Sequence, residues 1–294
     1  MTDPFDPDAL FDKAKLFINR CFDAHSAGQF DAAALWASLA LEIVAKWALA
    51  TVNPCLIADP SDDGTSLLTA AGLSKTVADF KTIPAKAAFS RCARAFPGFN
   101  AREAGRISGN RNDDIHSGAL PFAQLDEERW WQSYWREVAV LLSAHGMTVS
   151  DLVGAENAGV AEGYITRNNE TVSFLVAKRI EAAKARWESR ESGVERLGGF
   201  VFGPEYESSA VCPACGNRGE LMGDSVVGEQ EVWPDSLEDY FTPFSLLDVA
   251  SHLFNCPFCN LFLDGPDYIS AADLPETFET EVAIEPAWEE YNNE

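Results

Sequence analysis

Apolar positions fall into two textures along the chain. To about residue 190 they recur at helical spacing, and beyond 199 they come in short alternating runs between turns. Residues 6–25 (DPDALFDKAKLFINRCFDAH) place Leu10, Phe11, Ala14, Phe17, Ile18 and Cys21 on one face, with Asp6 and Pro7 as a start signal. That predicts an amphipathic helix. Residues 29–51 are apolar nearly all round, which predicts a central helix stopped by Pro54. Residues 53–65 read as a loop, followed by shorter helices near 66–80 and 84–95. A longer helix is expected from Asn100 to about Gly118. Another runs from Asp126 to about His145 and is apolar through Trp130, Trp131, Tyr134, Trp135 and Val138.

The segment 156–170 bears Gly and Asn and reads as a hinge. A helix is expected over 170–192, apolar early and charged late, ended by Gly198 and Gly199. From 199 the chain breaks into β-like pieces (FVFG, SSAV, EVW), and from Asp273 it is acidic and reads as loose. The expected fold class is mainly α, in four parts. These are a helical bundle over 1–150, a hinge and long connecting helix over 151–198, a small β-rich domain over 199–272, and an acidic tail over 273–294. No internal repeat is visible.

Charge sharpens this division. The net charge is −24 over 294 residues, yet Arg218 is the last basic residue and eighteen Asp and Glu follow it. The first 218 residues hold 22 basic against 28 acidic side chains. Such a balance argues against a duplex-coating surface, which needs clustered Lys and Arg, and leaves room for a small basic site in the front part. No apolar run is expected to reach transmembrane length, and MTDPFDPDAL lacks the basic start of a secretory signal, so a cytoplasmic protein without membrane contact is expected. There is no P-loop, GxSxG or HExxH.

Four of the seven cysteines form two pairs, Cys212-Pro-Ala-Cys215-Gly and Cys256-Pro-Phe-Cys259. Two CxxC turns offer four soft thiolates, a set suited to tetrahedral Zn²⁺. SSAVCPACGNRGELMG resembles the first knuckle of a zinc ribbon. Four thiolates close the coordination sphere, so Cys212, Cys215, Cys256 and Cys259 are expected to hold a structural metal in place of a core. The forty-odd residues between the pairs suggest an insertion, such as a helix near 244–254. His252 is an alternative ligand, or a polar residue on that helix. Cys21, Cys55 and Cys92 read as apolar thiols.

The second constellation is Arg111-Asn112-Asp113-Asp114-Ile115-His116, near the end of the fifth expected helix. About seventy residues upstream, the central helix carries Leu41, Glu42 and Lys46. Residues i and i+5 of a helix lie about 140° apart, so Arg111 and His116 converge only at a kink, at a helix end, or across two subunits. The plainer reading is a helix-terminal pair, with His116 capping carbonyls. Glu42 reads as a partner of Lys46 one turn on, or as an acid behind the Arg–His pair.

With Gly118 after His116 and the Leu41-Glu42…Lys46 helix upstream, residues 8–146 resemble the HEPN superfamily, helical-bundle RNases of toxin, CRISPR and other defence systems. The resemblance implies a HEPN-like bundle that pairs as a homodimer, with both Arg–His motifs lining one cleft. It implies RNA as substrate, Arg111, Asn112 and His116 as catalytic residues, Arg102 and Arg106 as RNA-binding residues, and no catalytic metal. Asp113 and Asp114 depart from a simple phosphate site, since two carboxylates raise a neighbouring His pKa and repel a phosphate. The alternative expectation is a non-catalytic dimeric adaptor, with a protein partner held by the zinc ribbon or the acidic tail. The tail could also shield a basic cleft by mimicking nucleic acid.

Overall fold

Helix α1 (Pro7–Ser26) starts where the sequence places it, because the Asp6 carboxylate accepts from the Asp8 amide and Pro7 occupies the first turn. The computed structural model describes residues 4–61, 63–74, 80–189, 204–233 and 244–283. Gly28, at φ 70°, turns the chain into α2 (Phe30–Val52). The run of small residues Ala33, Ala34, Ala37, Ala40, Ala45 and Ala48 is buried and lets neighbouring helices approach closely. A short 3₁₀ turn (Pro54–Ile57) leads to α3 (Thr65–Ala70), α4 (Ala85–Ala95), α5 (Ala101–His116), α6 (Glu127–Ser143) and α7 (Val149–Val153). Helices α1, α4, α5 and α6 all pack on α2.

Contrary to the sequence reading, α2 is long and apolar enough to cross a membrane by length and composition. Two-thirds of its most apolar stretch is buried by the other helices. Trp130, Trp131, Tyr134 and Trp135 of α6 are all no more than 1% exposed, and Trp130 stacks on Tyr134 with centroids 5.4 Å apart. These rings form core, contributing area that small side chains could not supply.

The chain divides into two compact units, Met1–Phe174 and Leu175–Glu294. Helix α8 (Ala155–Glu188) contributes residues to both sequence ranges. Its continuity removes the hinge expected over 156–170. Gly159 and Gly163 sit inside a helix, and the next glycines in the chain, Gly193, Gly198 and Gly199, lie outside the described residues.

The second unit is built on two antiparallel sheets. One has the order β1-β2-β5-β6 (Tyr206–Val211, Arg218–Gly223, Leu253–Cys256, Leu261–Asp264), and the other β3-β4-β7 (Ser225–Val232, Phe244–Ala250, Thr277–Ala283). A short helix α9 (Pro266–Ala271) follows β6. Asp224 alone separates β2 from β3, so the chain passes directly from one sheet to the other. Gly223 makes this possible. A Cβ there would lie 2.0 Å from the Ala250 carbonyl oxygen.

These sheets correct the expected fold class. The chain is not mainly α with a small ribbon appended: helical and sheet structure each build a unit of their own. The helix expected over 244–254 is instead β4, a two-residue link and β5, with Leu247, Val249, Ala250 and Phe254 buried. Alternation won over helical spacing because cross-strand partners were available on both sides of β4. Part of the stretch read as a loose tail is β7, paired along its whole length with β4; residues 284–294 lie outside the described residues. The HEPN-like bundle is not confirmed either, since nothing in the packing of the helical unit identifies that fold.

Candidate functional site

Helix α5 is held at both ends by chemistry its sequence carries. At its start, the Asn100 side chain accepts from the Arg102 and Glu103 amides, at 3.1 Å each. The Asn100 amide itself donates to Glu137 of α6 at 2.8 Å. Glu137 is 1% exposed and also pairs with Arg136. Ala104, Ile107 and Ser108 then turn inward at i, i+3 and i+4, and Arg111 continues that face.

Arg111 Nη1 reaches Glu42 Oε2 of α2 at 2.7 Å. Its Nη2 donates to Ser108 Oγ (3.3 Å) and Asn112 Oδ1 (2.9 Å), and its Nε to the same Asn112 oxygen (3.2 Å). Glu42 in turn accepts from Lys46 Nζ at 2.8 Å, which also donates to Thr82 Oγ1 at 3.1 Å. Glu42 thus pairs with Lys46, as one reading expected, and with Arg111, though not with His116. Burial alone would raise the Glu42 pKa. The charge of Lys46 and the hydrogen bonds from Arg111 and Lys46 outweigh it and hold the carboxyl below its ordinary value.

Glu42, Lys46 and Thr82 also line an open groove of about 690 Å³ with Lys13, Phe17 and Phe80. The groove thus shares a carboxylate with the Arg111 cluster.

His116 is the last residue of α5 and is exposed. Ser117, not His116, caps the Asp113 carbonyl, which accepts from both the Ser117 amide (3.1 Å) and Ser117 Oγ (2.6 Å). Among the described residues the His116 ring meets no hydrogen-bonding partner. Arg111 faces α2 while His116 lies about 140° around the axis, so one chain does not bring the two together. Ile115 and Leu120 beside it are 51% and 69% exposed. Arg106 is engaged by Glu103 at 2.6 Å. Arg102 is exposed on the first turn.

The four paired cysteines do meet. Their sulfurs all lie within 4.8 Å of one another, with Cys212–Cys259 at 3.5 Å and Cys215–Cys256 at 3.6 Å. Cys212–Cys215 follow the end of β1 and lead into β2, and Cys256–Cys259 link β5 to β6. The two turns repeat one design. In the first, the Gly216 amide returns to the Cys212 carbonyl (3.0 Å); in the second, the Asn260 amide returns to Cys256 (2.9 Å). Gly216 and Asn260 both take left-handed backbone, at φ 73° and 57°. Asn260 was not singled out in the sequence, although CPFCN parallels CPACG.

Backbone amides point at the sulfurs: those of Ala214 and Cys215 at Cys212, those of Phe258 and Cys259 at Cys256. Hydrogen bonding from Cys212, with these amides, pulls Cys256 down to about 5 against the effect of burial, and pushes Cys212 up in exchange. One thiol of the cluster, Cys256, is thus held toward the thiolate that binds metal, while burial pushes Cys259 the other way. A tetrahedral ion with bonds of about 2.3 Å needs sulfurs about 3.8 Å apart. The four cysteines lie close enough together to bind a metal ion. His252 is not part of the set; its Nδ1 is 3.0 Å from Asp224. Burial pushes Cys21 up to about 12 and Cys92 further still, so both are inert core thiols.

No protein-family model matches the chain, and neither does a curated protein or a solved structure.

Proposed function

We propose that the chain is a metal-independent endoribonuclease whose cleft forms between two copies, with Zn²⁺ held structurally by the four cysteines. One observation carries this reading. Arg111 is fixed by Glu42, Ser108 and Asn112, five residues before an exposed His116 that meets no hydrogen-bonding partner among the described residues. That combination supplies a preorganised cation and a free proton carrier. Their divergence on one helix is what a second copy would resolve, and the exposed Ile115 and Leu120 beside His116 suit such pairing.

In the proposed reaction, His116 Nε2 or Nδ1 takes the proton of an RNA 2′-hydroxyl. The 2′-oxygen bonds to phosphorus and the P–O5′ bond breaks. His116 of the partner subunit, protonated, gives its proton to the departing 5′-oxygen. The products are a 2′,3′-cyclic phosphate and a 5′-hydroxyl, so atoms and protons balance without a metal. Arg111 offsets charge gathering on the phosphate oxygens, and Asn112, which holds the guanidinium twice, sets its plane. Arg102 and Arg106 sit on earlier turns of α5 as contacts for the RNA backbone. A bacterial toxin or defence setting belongs to this reading through the motif alone, and a cytoplasmic location is proposed with it.

A dimeric adaptor without catalysis is favoured by a different observation. Glu42, Ser108 and Asn112 already take four of the five N–H groups of Arg111, so a phosphate must displace one of them or take the remaining Nη1 hydrogen.

The deciding experiment incubates purified chain with single-stranded and transfer RNA in chelator-treated buffer, beside His116→Ala and Arg111→Ala. Cleavage with cyclic-phosphate ends, lost in both variants, supports the nuclease. Intact RNA after incubation with well-folded, dimeric wild type leaves the adaptor, with the metal-bearing unit as the surface for a protein partner.

A further inference from the structure

We propose that the end of α8 supports the metal centre, with Arg186 supplying positive charge beside the four thiolates and hydrogen bonds that fix the backbone of their second turn. This rests on the zinc reading above. A Zn²⁺ ion with four thiolates carries a net charge of −2, and burying it uncompensated is costly. The amides of the two turns offset part of that charge, but Arg218 is the one cation in the sheets' own sequence. No Lys or Arg follows Arg218, whereas eighteen acidic residues do. Arg218 itself donates to Ser209 Oγ at 2.9 Å.

Helix α8 brings the missing cations. Arg186 Nε donates to the Cys259 carbonyl at 3.1 Å, and Nη2 to the Asn260 carbonyl at 3.0 Å. One guanidinium fork thus grips two successive carbonyls, those of the last metal ligand and of the left-handed residue after it. A planar fork fits this; a lysine ammonium does not. Trp187 meets Phe258 of the same turn edge-on, with centroids 6.3 Å apart. Two helical turns earlier, Arg179 donates to the Phe262 carbonyl at 3.3 Å and lies 4.6 Å from the Tyr268 ring. Lys178 and Lys184 on other faces pair with Glu181 and Glu188 of the helix instead. The arginines at i and i+7 are both turned to the sheet, which is the spacing of one helix face.

Arg186 is therefore a positioning residue for the metal. It locks the backbone whose amides point at Cys256, and it sets a cation beside a dianionic cluster. Coupling of this kind is reciprocal: metal binding orders the last turns of α8, and the docked helix tightens the metal.

The test measures zinc per chain by native mass spectrometry, zinc affinity by competition with a chromophoric chelator, and amide exchange of residues 176–188 with and without zinc. Wild type is expected to hold one zinc per chain, Arg186→Ala to bind about tenfold or more weakly, and Arg186→Lys to recover only part. Stripping zinc from wild type should speed exchange over 176–188, a readout that needs no variant. Absence of zinc in wild type would sink the metal reading, and this inference with it. Zinc held by wild type and by Arg186→Ala within about twofold, with exchange over 176–188 indifferent to the metal, would overturn the role of Arg186 and leave the metal site standing.

Discussion

Glu42 of α2 and Arg111 of α5, 69 residues apart in sequence, meet in a 2.7 Å ion pair in which both side chains are mostly buried. The same carboxylate holds Lys46, whose side chain is only 8% exposed. One acid is thus shared by two cations, and the network ties the central helix to the helix that carries the Arg–His motif.

Glu42→Ala should be costly for that reason. It leaves two largely buried cations facing each other, and a loss of about 3 kcal/mol is expected from breaking such a pair. Urea unfolding followed by helical circular dichroism reads it directly. A midpoint unchanged from wild type would mean that solvent reaches both cations. Glu42→Gln should cost less, because its oxygen can still accept from one of them.

Acid should erase part of that difference. Glu42 is held below its ordinary value of 4.5 in the folded state. A depressed carboxyl stabilises the fold fully above the unfolded value, and the stabilisation is lost as pH falls through the folded one. The stability gap between wild type and Glu42→Gln should therefore be widest near neutral pH and close progressively below 4.5. Paired urea titrations at several pH values check the sign; a gap that widens in acid would contradict it.

Chelation should act on one unit only. Removing metal, or replacing Cys256 with Ser, leaves thiols crowded where a metal would replace core. Amide exchange is expected to rise sharply in β1, β2, β5 and β6 while α1, α2 and α6 keep their protection. Uniform protection in both units after chelation would show that the sheets stand without the ion.

Gly223→Ala probes the crossing between the sheets. Its Cβ would sit 2.0 Å from the Ala250 oxygen and 2.8 Å from a Val249 methyl, so backbone must move. A loss of about 2–3 kcal/mol is expected, as for other overpacked sites. Gly159→Ala, in open space on α8, is the control and should be neutral or slightly stabilising.

Much of the helical unit was legible because its signals are local. Asp6-Pro7, Asn100 and Asp126 each cap the helix they announce. The thiolate cluster was legible too, since CxxC spacing constrains its own turn. What the sequence hid was relational. Gly and Asn in 156–170 read as a hinge, yet helix propensity summed over 34 residues absorbs them. FSLLDVASHLF suits a helix until partners for β4 are known on both edges. Arg186 looked like one of several charges on a helix, and only the fold brings it to the carbonyls of Cys259 and Asn260.

The three-stranded sheet has a consequence for how these molecules behave in company. Among the described residues, β3 and β7 are its outer strands, each with one side unpaired. Such borders can recruit a strand from another chain. Here they carry Glu229 and Glu231 on one side and Glu279 and Glu281 on the other, with no lysine or arginine nearby in sequence to attract them. Two copies approaching border to border would bring like charges together at strand spacing. Like-charge repulsion along these borders would disfavour fibrous stacking, independent of any ligand the protein binds.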